Sequence, residues 1–109
     1  MSVPPLVARA RETAERLGFA KSCRDEDGRL LHVLAGRRGI ERVAEIGTGV
    51  GVGTAWLAAA VAPGTPVYTA EPDETLAQEA AGLFADDPAV HTCSPATGAP
   101  CFLPTRRST

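Results

Sequence analysis

The chain has 109 residues, 44% of them hydrophobic, and a formal net charge of -2. This composition indicates a single globular domain and excludes a disordered or collagen-like chain. No basic stripe is present to neutralise phosphates, so no nucleic-acid partner is expected.

The longest apolar run is far shorter than the roughly 20 residues of a bilayer span, and the N-terminus lacks a signal-peptide pattern. The three cysteines match no zinc or redox spacing, which favours a reducing compartment. We therefore expect a soluble, cytoplasmic protein with no membrane partner.

Two amphipathic helices are predicted in an N-terminal helical segment, residues 1–40. The first starts at the prolines Pro4 and Pro5, has one apolar face and ends at Gly18. The polar stretch SCRDEDG is interpreted as a link. The segment RLLHVLAGRRG then predicts a short second helix that ends at Gly36 and the arginines after it.

Residues 41–90 alternate between strand and helix patterns. The predicted order is a strand, a helix, a strand and a helix, over Arg42 to Ile46, Val52 to Ala62, Val67 to Ala70 and Asp73 to Ala85. Strands joined by a crossover helix of this length run parallel, so the fold class is α/β. A third strand is expected to begin at Val90 without its continuation.

Between the first strand and its helix, glycines occupy every second position: Gly47, Gly49, Gly51 and Gly53. A missing Cβ lets a ligand rest against backbone N–H groups at a helix N-terminus. A tight turn needs only one or two glycines, so four of them favour a nucleotide-type site.

The glycine spacing bears on which nucleotide would bind. The dinucleotide fingerprint G-x-G-x-x-G requires glycine or alanine at Val52 or at Thr54, depending on the register, and neither fits. Instead, Glu45 stands two residues before the first glycine, and Glu71 ends the second strand. A carboxylate at that strand tip is placed to accept both hydroxyls of a ribose.

The residues around this loop resemble the class I S-adenosylmethionine-dependent methyltransferases, within them the O-methyltransferases of the caffeoyl-CoA and catechol type. The resemblance covers about residues 17–90 and rests on GRLLHVLA, VAEIGTGVGVGTAWLAAAV and VYTAEPDETLAQEAAGLF. It implies the N-terminal part of a Rossmann-like methyltransferase fold. Val52 and Gly53 depart from it, because the family often has tyrosine and serine after the third loop glycine.

The resemblance also implies roles for individual residues. Glu71 would hold the ribose of S-adenosylmethionine, and the methionine end would be held by Glu45, Gly47, Thr48, Gly49 and Gly51. The implied reaction transfers a methyl group to a hydroxyl of a small-molecule acceptor. Catechol-type relatives hold a divalent metal with carboxylates beyond the fourth strand; this chain has no corresponding residues, and no metal site or catalytic residue is assigned.

The tail from His91 to Thr109 shows neither a strand nor a helix period. It is interpreted as irregular, either a disordered extension or the product of a frameshift. Back-translation from Thr92 in another frame gives VLPGDWRALLPPHAPFD, a family-like string, and this favours the frameshift.

Two functions remain open from the sequence. The chain is the N-terminal part of an S-adenosylmethionine-dependent methyltransferase, or it is a non-enzymatic product, either truncated and inactive or an interaction module that reuses the half-fold. Cofactor binding would distinguish them. Parallel strands with missing neighbours leave apolar surface, so a homo-oligomer is a further expectation.

Overall fold

The computed structural model describes residues 3–19 and 23–94, in which helix α1 spans Pro5–Leu17. Pro5 occupies the first helical turn, where its missing N–H costs nothing. The helix ends at Gly18, whose φ of 66° is left-handed. Both predicted ends are therefore confirmed.

Helix α2 spans Asp25–Ala35, so the interpretation of SCRDEDG as a link is wrong for its last four residues. Three acidic residues, Asp25, Glu26 and Asp27, form the first turn, where the helix dipole favours negative charge. Gly28 continues the helix and packs against the side chain of Trp56. The predicted C-terminal end at Gly36 is confirmed.

Three parallel strands form one sheet in the order β1, β2, β3. They are β1 (Val43–Ile46), β2 (Val67–Ala70) and β3 (Val90–Cys93). Val67 pairs with Val43 on one side and with Val90 on the other. The predicted α/β class with a parallel sheet is confirmed.

The third strand begins at Val90, as expected, but it also continues to Cys93. Its residues from His91 to Cys93 lie in the segment that was expected to be irregular, and they pair in register with β2. The expectation of an irregular tail is thus wrong for these residues. The rest of that prediction, including most of the frameshift segment, lies outside the described residues.

Helices α3 (Val52–Ala60) and α4 (Glu74–Leu83) connect the strands. Helix α3 ends two residues before the predicted Ala62, and Pro63 follows closely. The N-cap of α4 is Asp73, as predicted; its carboxylate accepts a hydrogen bond from Leu76 N at 3.0 Å.

Both connecting helices pack on one face of the sheet, as right-handed crossovers in this strand order require. Strand residues on that face, such as Val67 and Thr69, are buried. Helices α1 and α2 in turn pack on α3. The main core cluster contains Val7, Ala10, Ala14, Val50, Val52, Ala55, Trp56 and Phe84.

None of the helices in residues 3–19 and 23–94 has the length and hydropathy needed to cross a bilayer.

Candidate cofactor site

The candidate site begins with the glycine loop, residues 47–51, which leads from β1 into α3. Gly47, Gly49 and Gly51 have φ values of 87°, 58° and 104°. Side chains with a Cβ rarely adopt these values, so the loop conformation itself requires glycine at all three positions.

The four glycines differ in what lies where their Cβ atom would be. A Cβ on Gly49 would lie 2.8 Å from the Phe19 ring, and one on Gly51 would lie 3.0 Å from Phe84. A Cβ on Gly53 would collide with the Glu45 carboxylate. Only Gly47, among these four glycines, has no neighbour within 4 Å. The interpretation that all four make room for a ligand is therefore wrong, and only Gly47 has open space in front of it.

The amides of the loop are directed into the protein. Gly47 N and Thr48 N donate to the carbonyl oxygen of Ala70, at 2.8 and 3.1 Å. Gly49 N donates to Glu71, and Gly51 N donates to Thr48 O at 3.0 Å. These bonds hold the loop across the carboxyl end of β2.

Glu71 lies directly after β2 and is 8% exposed. Its Oε1 accepts from Gly49 N at 2.8 Å, and its Oε2 accepts from Asp73 N at 2.9 Å. Each carboxylate oxygen has two acceptor positions, so this side chain can accept further hydrogen bonds. A cavity of about 80 Å³ adjoins it, lined also by Thr48, Gln78, Thr92 and Ser94.

Glu45 has different surroundings, because its carboxylate is held between the sheet and α3. Thr54 donates to Oε1 at 2.5 Å. Burial raises the pKa of Glu45 above its ordinary value, although the neighbouring hydroxyls of Thr54 and Thr69 partly oppose this change. The sequence prediction placed Glu45 beside Gly47 to Gly51 as one ligand-holding group; the structure places it below the loop.

The segment that joins α1 to α2 contacts the same region. The Phe19 ring packs against Gly49. Burial raises the pKa of the Cys23 thiol, and the carboxylates of Glu45, Asp27 and Asp25 raise it further. The thiol is therefore poorly suited to act as a nucleophile.

Sequence reasoning missed Phe19, Thr54 and Thr69, which support the loop without being part of the glycine pattern. Thr69 could have been identified, because it occupies an inward position of a strand with period 2. Phe19 has no comparable signal, since its contact with Gly49 joins distant parts of the chain. Within residues 3–19 and 23–94, no three histidine, cysteine, aspartate or glutamate residues form a potential metal site.

The fold is that of solved methyltransferases. The O-methyltransferase from Bacillus cereus, in complex with SAH, aligns with a TM-score of 0.76 and 22% identity, covering 86% of this chain and 44% of that one. TomG from Streptomyces achromogenes, an O-methyltransferase involved in tomaymycin synthesis and solved with SAM, gives 0.75 and 25%, with 94% and 51% covered. A methyltransferase from Geobacter sulfurreducens gives 0.71 and 25%, with 86% and 50% covered.

These structures confirm the predicted fold class and the resemblance to S-adenosylmethionine-dependent O-methyltransferases. The chain spans about half the length of the structures that it matches. No family model matches the sequence, and no curated protein gives a match.

Proposed function

We propose that this chain forms the S-adenosylmethionine-binding part of an O-methyltransferase that acts on a hydroxyl of a small molecule. The observation that carries the proposal is the bond between the Glu71 carboxylate and Gly49 N. It joins a strand-end carboxylate to a glycine loop in a fold shared with methyltransferases that were solved with SAM or SAH.

In this proposal Glu71 accepts the ribose hydroxyls. Its two oxygens are fixed by Gly49 N and Asp73 N, so the carboxylate is oriented before a ligand arrives. Hydrogen bonds to a charged acceptor are stronger than those to a neutral one. The Glu71 side chain would therefore distinguish a nucleoside from a compound that lacks the two hydroxyls.

The glycine loop would hold the other end of the cofactor. Gly47 lets the ligand approach the backbone, because the space where its side chain would lie is open. The amides of Gly47, Thr48, Gly49 and Gly51 already donate to protein acceptors. A pyrophosphate needs such donors, so the loop suits a cofactor without phosphates and not a dinucleotide.

When bound, S-adenosylmethionine supplies an activated methyl group for transfer to the acceptor oxygen. Glu71 and the glycine loop would bind and orient the cofactor. Alignment of acceptor and methyl group is the main demand of such a reaction.

The test is titration calorimetry with S-adenosylhomocysteine on the 109-residue chain and its Glu71→Gln variant. Glutamine removes the negative charge of the side chain and places an amide NH₂ group, which is a donor, opposite one of the two backbone N–H donors. We expect the dissociation constant to increase about 10- to 100-fold, as for the loss of a hydrogen bond to a charged group.

The matched control is Glu74→Gln, which makes the same chemical change at an exposed residue in the first turn of α4. We expect its affinity to equal that of the unchanged chain. Equal affinities for all three proteins would remove Glu71 from the site. Absence of binding in the unchanged chain would instead support the non-enzymatic alternative for this chain.

A further inference from the structure

A chain of buried hydroxyl groups runs beneath the glycine loop. The Oγ1 atoms of Thr48 and Thr69 are 2.5 Å apart, and both side chains are buried, at 6% and 2% exposure. Thr69 is linked in turn to the Glu45 carboxylate through Thr54. Thr54, which is fully buried, donates to the same carboxylate and lies 3.2 Å from Thr69. Residues from β1, the loop, α3 and β2 thus share one polar network.

The chemistry of the carboxylate fixes the direction of its hydrogen bond with Thr54. An ionised carboxylate only accepts, so Thr54 directs its hydroxyl proton towards Glu45. The bond between the Thr48 and Thr69 hydroxyls, in which either residue can donate, then holds the Thr48 side chain in place.

Thr48 connects this network to the backbone of the loop. Its N–H is bonded to Ala70 O, and its carbonyl oxygen accepts from Gly51 N. The intervening Gly49 N is bonded to Glu71. Movement of Thr48 would therefore disturb the loop amides on both sides of it.

We propose that Glu45 and Thr69 are positioning residues, which hold the glycine loop in its ligand-ready shape through Thr48. This inference deepens the proposed function and rests on it for the identity of the ligand. The claim that Glu45 and Thr69 hold the conformation of the loop concerns only this chain. It can therefore be tested without a ligand.

The first experiment measures amide hydrogen exchange by NMR on the 109-residue chain and on Thr69→Val. Valine has nearly the shape of threonine but removes the hydroxyl link. We expect the amides of Gly49 and Gly51 to exchange about 3- to 10-fold faster, as for the loss of one hydrogen bond. The amide of Ala77, which is bonded to Asp73 O in α4, should exchange at an unchanged rate.

Two further variants separate positioning from packing. Thr69→Ser restores the hydroxyl with a smaller side chain, so it should return the exchange rates of the loop to those of the unchanged chain. Thr75→Val makes the same substitution at an exposed position of α4 and should have no effect. Equal acceleration in Thr69→Ser and Thr69→Val would show that packing, and not the hydroxyl, holds the loop.

The role of Glu45 is tested by a double-mutant comparison. If Glu45 and Thr69 act in series, Glu45→Ala accelerates exchange at Gly49 and Gly51 as Thr69→Val does, and the double variant adds little. Additive effects, or unchanged exchange in either single variant, would overturn the proposal.

A second experiment titrates the same variants with S-adenosylhomocysteine. Thr69→Val should weaken binding by about the factor by which it accelerates loop exchange, and Thr69→Ser should restore it. If the unchanged chain does not bind, the proposed function fails, while the exchange rates still decide whether Glu45 and Thr69 hold the loop. If loop exchange changes without a change in affinity, the loop does not form the cofactor site.

Discussion

Glu45 and Glu71 are carboxylates near the same end of neighbouring strands, yet their partners differ in kind. Glu71 accepts from two backbone amides, whereas Glu45 accepts from the hydroxyl of Thr54 and is held between sheet and helix. The sequence could predict both as site residues, because Glu45 stands two residues before the first glycine and Glu71 ends the second strand. It could not separate their roles, because the threonines that surround Glu45 come from two other elements.

The raised pKa of Glu45 predicts a dependence of stability on pH. Because the folded chain holds this proton up to a higher pH than the unfolded chain, protonation favours folding. The free energy of unfolding, relative to that of Glu45→Gln, should increase as the pH falls from 7 towards the ordinary value of 4.5. It should reach its full value below that pH and be lost as the pH rises through the folded-state pKa.

Urea unfolding at several pH values between 4 and 8 measures this difference. The other carboxylates are present in both proteins, so their effects largely cancel in the comparison. Cys23 has a pKa raised above 9.0 and keeps its proton over this pH range. A stability difference that stays constant with pH would contradict the prediction.

At the scale of elements, the packing of α2 on α3 depends on one glycine and one tryptophan. Trp56 is 1% exposed, and its indole lies where a Cβ on Gly28 would be. The guanidinium of Arg29 lies 5.8 Å from the centre of the indole, and the His32 ring meets it edge-on at 6.0 Å. Trp56 is thus a core residue that joins the two helices.

Gly28→Ala should therefore destabilise the chain, although alanine is the better helix former. The new methyl group would overlap the indole, and overpacking costs about 1–3 kcal/mol. Gly82→Ala is the matched control, since it lies in α4 with nothing within 4 Å of its Cβ position. It should stabilise by up to about 1 kcal/mol. Thermal unfolding compares the two, and a loss of stability in both variants would contradict this account.

The elements that the sequence predicts well are those whose signals are local. The N-cap of α4 at Asp73, the glycine end of α1 and strand β2 all follow from short-range patterns. The sequence predicts that α2 starts only after Gly28, because a glycine that follows a run of acidic residues is typical of a turn. Gly28 instead lies within the helix and packs against the indole of Trp56, a contact that no local pattern reveals.

The whole molecule has one covered and one open face of the sheet in its described part. Both crossover helices cover the face with Val67 and Thr69, and the opposite face carries Ala44, Ile46, Tyr68, Ala70 and His91. Ile46 on the edge strand β1 is 93% exposed, and the rings of Tyr68 and His91 stack at 4.9 Å. Parallel sheets are normally covered on both faces, so we predict that this surface promotes self-association.

Ile46→Lys should reduce self-association of the 109-residue chain while changing its stability by less than about 0.5 kcal/mol, because an exposed side chain contributes little to the core. Sedimentation velocity over a range of concentrations measures the first effect, and urea unfolding measures the second. Ala62→Lys adds the same charge at an exposed position outside the sheet and should leave association unchanged. Equal association of both variants and the unchanged chain would show that this face is not involved.

The internal bonding of the glycine loop also has a kinetic consequence. Gly47, Thr48, Gly49 and Gly51 each donate to a protein acceptor without any ligand, so the loop does not have to fold around one. A site shaped in advance binds in a single encounter, with an observed rate that increases linearly with ligand concentration. The lifetime of the complex, and not the speed at which it forms, would then be the quantity that substitutions beneath the loop change most.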